Sequence, residues 1–204
     1  MSSVANPFDR GYYGSEELRD LGFKRVGHNV TIAKNCTIIG LGHVSLGNHV
    51  RIDDHVTIAA HSGFLELGDY IHIGAGSYLA CAAGIKMADF SGLSQGAKIY
   101  SCSDDYTGKH LTNPTIPRKF LRVTTAPVLL GRHVIVGAGS VILPGVEIGE
   151  GSSVGALSLV TKSLEAWGVY FGSPVKRLKS RSKDLLDLER TLREESKASG
   201  ENLP

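Results

Sequence analysis

The residues best suited to chemistry crowd into one stretch, Ser101–Ala126, which reads SCSDDYTGKHLTNPTIPRKFLRVTTA. Asp104 and Asp105 are adjacent there, and His110 follows on the same segment. Carboxylates orient and accept protons, and a histidine changes charge near neutral pH, so the three form a candidate acid–base group. A loop bends enough to bring Asp104 and His110, six positions apart, to one point. Each of the three is therefore a candidate base. An aspartate at a loop start also serves as a turn former through its own backbone bonds, so either carboxylate could have that role instead. Cys102 lies beside them without a paired base in the sequence, which disfavours a cysteine nucleophile.

The stretch interrupts a regular scaffold. Outside it an aliphatic residue recurs every sixth position: Val26, Ile32, Ile38; Leu46, Ile52, Ile58; Leu67, Ile73, Leu79; Met87, Leu93, Ile99; Leu130, Val136, Ile142; Ile148, Val154, Val160. A small residue usually follows each. A helix needs apolar spacings of three and four, and simple alternating strands do not require a small residue at a fixed place in every hexad. Three hexads make a triplet, and successive triplets begin roughly twenty residues apart, as stacked supersecondary units do. The pattern predicts an all-β fold, a triangular prism of short parallel strands with the ladder inside.

Composition agrees and excludes alternatives. The 204 residues carry a net charge of +2 with acids and bases mixed, which offers no nucleic-acid surface. Glycine is abundant, at 25 residues, and aromatics are few, which favours many backbone corners. The opening MSSVANPFDRGYYG is polar and no apolar run approaches membrane-spanning length, so neither a secretion signal nor membrane insertion is expected. Cys36, Cys81 and Cys102 are too few and odd in number for a disulfide framework, and read as reduced thiols of a cytoplasmic protein.

Three parts are expected. Residues 1–25 form a capping segment, in which Ser15 caps a short helix carrying Glu16 and Glu17, Leu18 and Leu21 pack inward, and Gly22 ends the helix. Residues 26–166 form the prism, with 101–126 extruded. Residues 167–204 leave it through a turn at Gly172 and Pro174, followed by a helix over 180–196 and a loose tail. That helix places Leu185, Leu188 and Leu192 on one face, to pack on the prism or on a neighbouring subunit.

The segments RVGHNVTIAKNCTI, LLGRHVIVGAGSVI and EIGEGSSVGALSLV carry the hexapeptide-repeat signature, and the chain resembles the left-handed β-helix acyltransferases over about two-thirds of its length. Its C-terminal half, VIVGAGSVILPGVEIGEGSSVGALSLVTKSLEAWGVYFGSPVKRLK, is similar to the acyl-CoA-binding end of bacterial sugar acetyltransferases. The loop DDYTGKHLTNPTIP is similar to that of acyltransferases modifying nucleotide-linked amino sugars for surface glycans. The resemblance implies a homotrimer with acyl-CoA as co-substrate, bound between adjacent prisms. It implies a coenzyme lining of Gly137, Ala138, Ala156 and Ser158, with Gly139 and Gly155 beside them, and a phosphate-receiving cluster of Lys162, Lys176 and Arg177 with Lys179 nearby. Small corner residues are equally what a β-helix needs for itself.

The sequence departs from the family at the base. Galactoside and maltose acetyltransferases place a histidine shortly after the ladder residue preceding the loop, and this chain has Asp104 at that position. A sugar hydroxyl is a very weak acid that benefits from a histidine base, whereas an amine freed of its proton is already nucleophilic. Aspartate there favours N-acylation over O-acetylation, with a backbone N–H for the oxyanion and Ser94 as a hydroxyl partner. Tyr106, Thr107, Thr112 and Asn113 are further hydrogen-bonding candidates for the sugar.

The other histidines, His28, His43, His49, His55, His61, His72 and His133, spread over the prism. A zinc carbonic anhydrase shares this fold, but the Gln-Asp element expected of it is missing, so corner residues are the better account and no metal is expected. Arg51, Asp53 and Asp54 form a polar corner of the kind a site or a subunit interface would use. A non-enzymatic binding or scaffold protein is the alternative from another class.

Overall fold

A computed structural model describes Asn6 and residues 8–198. Its body is a triangular parallel β-helix whose three faces are built in turn as the chain winds. Face I stacks Arg25–Val26, Val44–Leu46, Leu65–Leu67, Ile85–Met87, Val128–Leu130 and Glu147–Ile148. Face II stacks Thr31–Ala33, Arg51–Ile52, His72–Ile73, Gly92–Leu93, Ile135–Val136 and Ser153–Val154. Face III stacks Thr37–Ile39, Thr57–Ala59, Tyr78–Ala80, Lys98–Tyr100, Val141–Ile142 and Leu159–Val160. Ladder residues are register partners throughout, as Ile52 with Ile73, Leu93 with Val136, and Ile99 with Ile142.

The ladder fills the prism, nearly all of it at most 5% exposed, with the first-coil residues Val26 and Ile38 only partly buried. Burying each such side chain contributes about 1.5–3 kcal/mol, so the first coil is the weakest. A second interior row lies two positions before the ladder: Val30, Val50, Val56, Ile71, Ile85, Val134 and Val146, with serines at 77, 91, 140, 152 and 158. These serines spend their hydroxyls on backbone carbonyls, as Ser77 on Gly74 O at 2.7 Å and Ser140 on Gly155 O at 2.9 Å. The corners turn through left-handed residues, among them Asn29, His49, Tyr70, Phe90 and His133, with φ near +55°. Their side chains line up, so that His49, Tyr70, Phe90 and His133 form one stack with ring centroids 4.5–5.1 Å apart. This accounts for two of the histidines.

The ends differ from expectation. The N-terminal helix α1 is Ser15–Arg19, preceded by Gly14, and Ser15 does not cap it. Its hydroxyl instead accepts Val30 N–H at 2.8 Å, tying the helix to the first coil. Leu18 is buried, but Leu21 is 47% exposed. Residues 168–180 do not leave the prism. Gly168–Gly172 joins face II, and Val175–Ser180 folds back antiparallel beside it.

The second helix, α2, runs Leu185–Ala198, starting later than expected. It meets the prism chiefly through Glu189; of the leucine row only Leu185 is partly buried, while Leu188 is 71% and Leu192 38% exposed. The buried Glu189 carboxylate accepts from Arg132, from His133 Nε2 at 2.6 Å and from Arg193 Nε at 2.7 Å. Burial raises its pKa, but the hydrogen bonds from Arg193 and His133, with the Arg132 charge, bring it below the ordinary value. Three donors on one carboxylate outweigh a leucine stripe as an anchor. The residues after Ala198, where a loose tail was expected, lie outside the described residues.

Candidate active site

The fourth strand of face III ends at Tyr100, and the chain leaves the prism at the corner leading to face I. Buried Ser101 pins the exit, donating to Ala80 O at 2.7 Å and accepting Ala83 N–H at 2.9 Å. Cys102–Ser103 pairs antiparallel with Thr124–Thr125 to form the neck of the loop. Leu111 N–H donates to Phe120 O at 3.0 Å across its middle. The chemistry-bearing residues thus sit on an ordered projection fixed at both ends.

The two aspartates have separate roles within it. Asp105 Oδ1 accepts from both the backbone N–H and the hydroxyl of Thr107, at 2.8 and 2.6 Å, and His110 Nδ1 lies 2.7 Å from Asp105 Oδ2. The Thr107 and His110 contacts hold the Asp105 carboxyl well below the usual range. Asp105 therefore shapes the loop and orients His110. Asp104 makes one weaker contact, accepting Asn113 N–H at 3.3 Å. Its carboxylate lies between two clefts.

One cleft, of about 700 Å³, runs along face III and is walled by Tyr100, Tyr106, Val123, Val141, Leu143 and Leu159. The other, of about 460 Å³, is lined by Asp105, Tyr106, Thr107, Lys109, His110, Arg122 and Thr124, and sets the cations Lys109 and Arg122 against two carboxylates. Asp104 borders both. Cys102 also lines the apolar cleft, but burial, then the nearby Asp104 charge, push its thiol up, away from a nucleophilic thiolate.

Ser94 lies at a different corner, between faces II and III, and borders a third cleft, of about 420 Å³, together with His72, Gly92, Phe90, Ile135 and Leu185. One chain therefore does not bring Ser94 and Asp104 into the same cleft. The expected coenzyme lining is mixed. At Gly137 a Cβ would stand 2.4 Å from Ala156 N in the next coil, so glycine serves packing there. Ser158 is 2% exposed; its hydroxyl contacts Ala156 O at 3.5 Å and accepts Gly172 N–H at 3.1 Å, which makes it an interior corner residue and not a lining one. Ala138 and Ala156 remain accessible. Lys162 is exposed beyond the last strand of face III, and Lys176 and Arg177 are exposed on the last strand of face II.

A residue that sequence reading passed over stands on face II. His72 Nε2 lies 2.8 Å from Asp53 Oδ2, while Asp53 Oδ1 accepts from Arg51 Nε at 2.7 Å and from the Tyr12 hydroxyl at 3.2 Å. The available signal was the pairing of Arg51 and Asp53 one coil before a histidine.

Comparison with known proteins fits this geometry. The family model described as bacterial transferase hexapeptide (six repeats) matches residues 127–162. The chain is 38% identical to dTDP-4-amino-4,6-dideoxy-D-glucose acyltransferase of Escherichia coli, over 94% of this chain and 99% of that protein. The chain belongs to the hexapeptide-repeat acyltransferases. The crystal structure of AntD, an N-acyltransferase from Bacillus cereus in complex with dTDP and 3-hydroxybutyryl-CoA, superposes on this acyltransferase with a TM-score of 0.88 at 41% identity, covering 92% of this chain and 99% of that one. Other AntD structures carry a substituted serine or a substituted aspartate, the two lying ten positions apart. A putative colanic acid biosynthesis acetyltransferase, WcaF of Escherichia coli, is 29% identical over 71% of this acyltransferase and 73% of its own length.

Proposed function

We propose that the protein is an acyl-CoA-dependent N-acyltransferase acting on the amino group of a nucleotide-linked 4-amino-4,6-dideoxyhexose for a surface glycan. The observation that carries this reading is Asp104: a carboxylate where sugar O-acetyltransferases have histidine, bordering both an apolar cleft and one lined by charged side chains. Full-length similarity to an acyltransferase of dTDP-4-amino-4,6-dideoxyglucose supports the acceptor class.

The chemistry follows from the acceptor. An amine arrives protonated and must lose one proton to attack. The Asp104 carboxylate pairs with the ammonium, takes or relays its proton, and offsets the positive charge that grows on nitrogen as it adds to the thioester carbonyl. Collapse breaks the C–S bond and expels the coenzyme as a thiolate; the second proton, carried by the nitrogen of the adduct, passes to that sulfur, leaving an amide and free CoA thiol. The face III cleft suits an acyl-pantetheine arm, and the Lys109, His110 and Arg122 side suits a diphosphate. Ala138 and Ala156, with Lys162, Lys176 and Arg177, are proposed for the far end of the coenzyme.

The separation of Ser94 from Asp104 supports a homotrimer in which the loop of one chain reaches the Ser94 cleft of its neighbour. Ser94 and Asp104 are themselves a serine and an aspartate ten positions apart, the spacing of the residues substituted in AntD. No helix among the described residues is long and apolar enough to cross a membrane. The three free thiols, and substrates made from CoA and nucleotides, support a cytoplasmic site of action.

Mass spectrometry of reactions with acetyl-CoA or 3-hydroxybutyryl-CoA and dTDP-4-amino-4,6-dideoxyglucose tests this. An amide product with release of free CoA is expected. An ester product, or no product together with no CoA binding by calorimetry, refutes it.

A further inference from the structure

The outward-facing row of face II contains one gap. Register aligns Arg51, His72, Gly92, Ile135 and Ser153 side by side, and among them only Gly92 has no side chain. Glycine is not demanded by the backbone there. Its φ is not in the left-handed region, and a Cβ would meet only His72 O, at 3.4 Å. This contrasts with Gly137, where the next coil leaves no room. The glycine at position 92 instead keeps space open, as the floor of the 420 Å³ cleft that Ser94 borders.

His72 forms one wall of that cleft and is the part of it that is deliberately fixed. Asp53 holds its Nε2, and Arg51 and Tyr12 hold Asp53; Arg51 Nη2 also donates to the Tyr12 hydroxyl at 3.0 Å. Burial raises the Asp53 pKa, but the hydrogen bonds from Arg51 and His72 outweigh it, so this carboxylate stays ionised and only accepts. Nε2 therefore carries the hydrogen in that bond. Nδ1, which has no protein partner among the described residues, is left to accept from an O–H or N–H in the cleft. The rest of the lining supplies an apolar surface from Phe90, Ile135 and Leu185, beside Arg181, whose guanidinium is held by the His133 carbonyl at 2.8 Å.

A polar edge together with an apolar surface matches a deoxyhexose, which has hydroxyls and an amine on one side and C–H groups and a methyl on the other. We infer that the cleft over Gly92 is the acceptor-sugar subsite, that His72 contacts the sugar directly, and that Asp53 is the positioning residue that orients His72. This rests on the acyltransferase reading above and assigns that reaction two further residues and a place for one substrate.

Steady-state kinetics with dTDP-4-amino-4,6-dideoxyglucose and acetyl-CoA test it. For His72→Phe, loss of the contact raises KM for the amino sugar about tenfold, with KM for acetyl-CoA unchanged. Asp53→Asn raises the same constant less, and adding it to His72→Phe has no further effect, because it acts through His72. Gly92→Val, which fills the cleft, also raises the sugar KM, while Gly92→Ala keeps the wild-type melting temperature. Wild-type sugar KM in both His72→Phe and Gly92→Val overturns the inference while turnover upholds the acyltransferase reading. Equal increases in both substrate constants also overturn it, since that marks a general structural effect. Absence of turnover by the wild type removes the acyltransferase reading itself, and this subsite with it.

Discussion

His110 Nδ1 lies 2.7 Å from Asp105 Oδ2. Because that carboxylate also gathers two hydrogen bonds from Thr107, which hold its carboxyl below the usual range, it is an acceptor only, and Nδ1 must carry the hydrogen between them. The pair is a brace inside the loop. It separates two jobs that adjacent aspartates could have shared: Asp105 builds the turn, and Asp104 is left with one weak contact, open to both clefts.

That separation predicts different kinetics for neighbouring substitutions. Asp104→Asn removes the proton acceptor while keeping the shape, and kcat should fall about 10²-fold or more with little change in acetyl-CoA binding. Asp105→Asn and His110→Ala loosen the brace and should each cost about tenfold or less, with raised KM as part of the effect. Steady-state kinetics of the three variants decide it. Loss of activity in His110→Ala with near wild-type Asp104→Asn would make His110 the base.

The scaffold was legible because a ladder of period six leaves a mark that no other periodicity imitates, and every rung from Leu46 to Val160 faces inward. The second interior row, two positions earlier, was missed because serine interrupts its aliphatic residues, and serine's polarity hides a buried position until its backbone acceptor is known. The leucines of α2 misled for the opposite reason: amphipathic spacing ranks apolar faces, and Glu189 is buried against Arg132 and His133, more than fifty residues away in the chain, with Arg193 one helical turn on as a third donor. Within the candidate site, the position of Asp104 could be read by counting from Ile99. The contact of His72 with Asp53 could not, because it comes from stacking one coil on the next.

Glu189 makes the seat of α2 sensitive to acid. Its folded-state pKa is depressed, so its stabilising contribution is complete above the unfolded value of about 4.3 and is lost as pH falls through the lower, folded-state value. Near neutral pH, Glu189→Gln should destabilise the helix seat by about 1–3 kcal/mol, because Arg132, His133 and Arg193 lose their charged acceptor. The difference from wild type should shrink below pH 4.3. Hydrogen exchange of the 185–198 amides across pH checks both; a difference independent of pH would refute the assignment.

Gly137 separates packing from coenzyme binding. With a Cβ there 2.4 Å from Ala156 N, Gly137→Ala forces adjacent coils apart. The expected cost is about 1–3 kcal/mol, read as a lower melting temperature, with CoA affinity of the folded protein unchanged in calorimetry. Weakened CoA binding at full stability would return Gly137 to the coenzyme lining.

Ser94 and Asp104 lie at different corners of the prism, so a site that uses both is completed by two chains. Ser94→Ala and Asp104→Asn should each be severely impaired alone, since every site then lacks one partner. If the two variants are unfolded together and refolded as a mixture, each site draws its serine from one chain and its aspartate from the next. Random assembly then leaves about a quarter of sites with both native residues, and activity should rise toward that fraction of wild type. Mixing the folded variants without exchange should restore nothing. If co-refolded trimers stay as inactive as the parents, the two residues either act within one chain or do not act together.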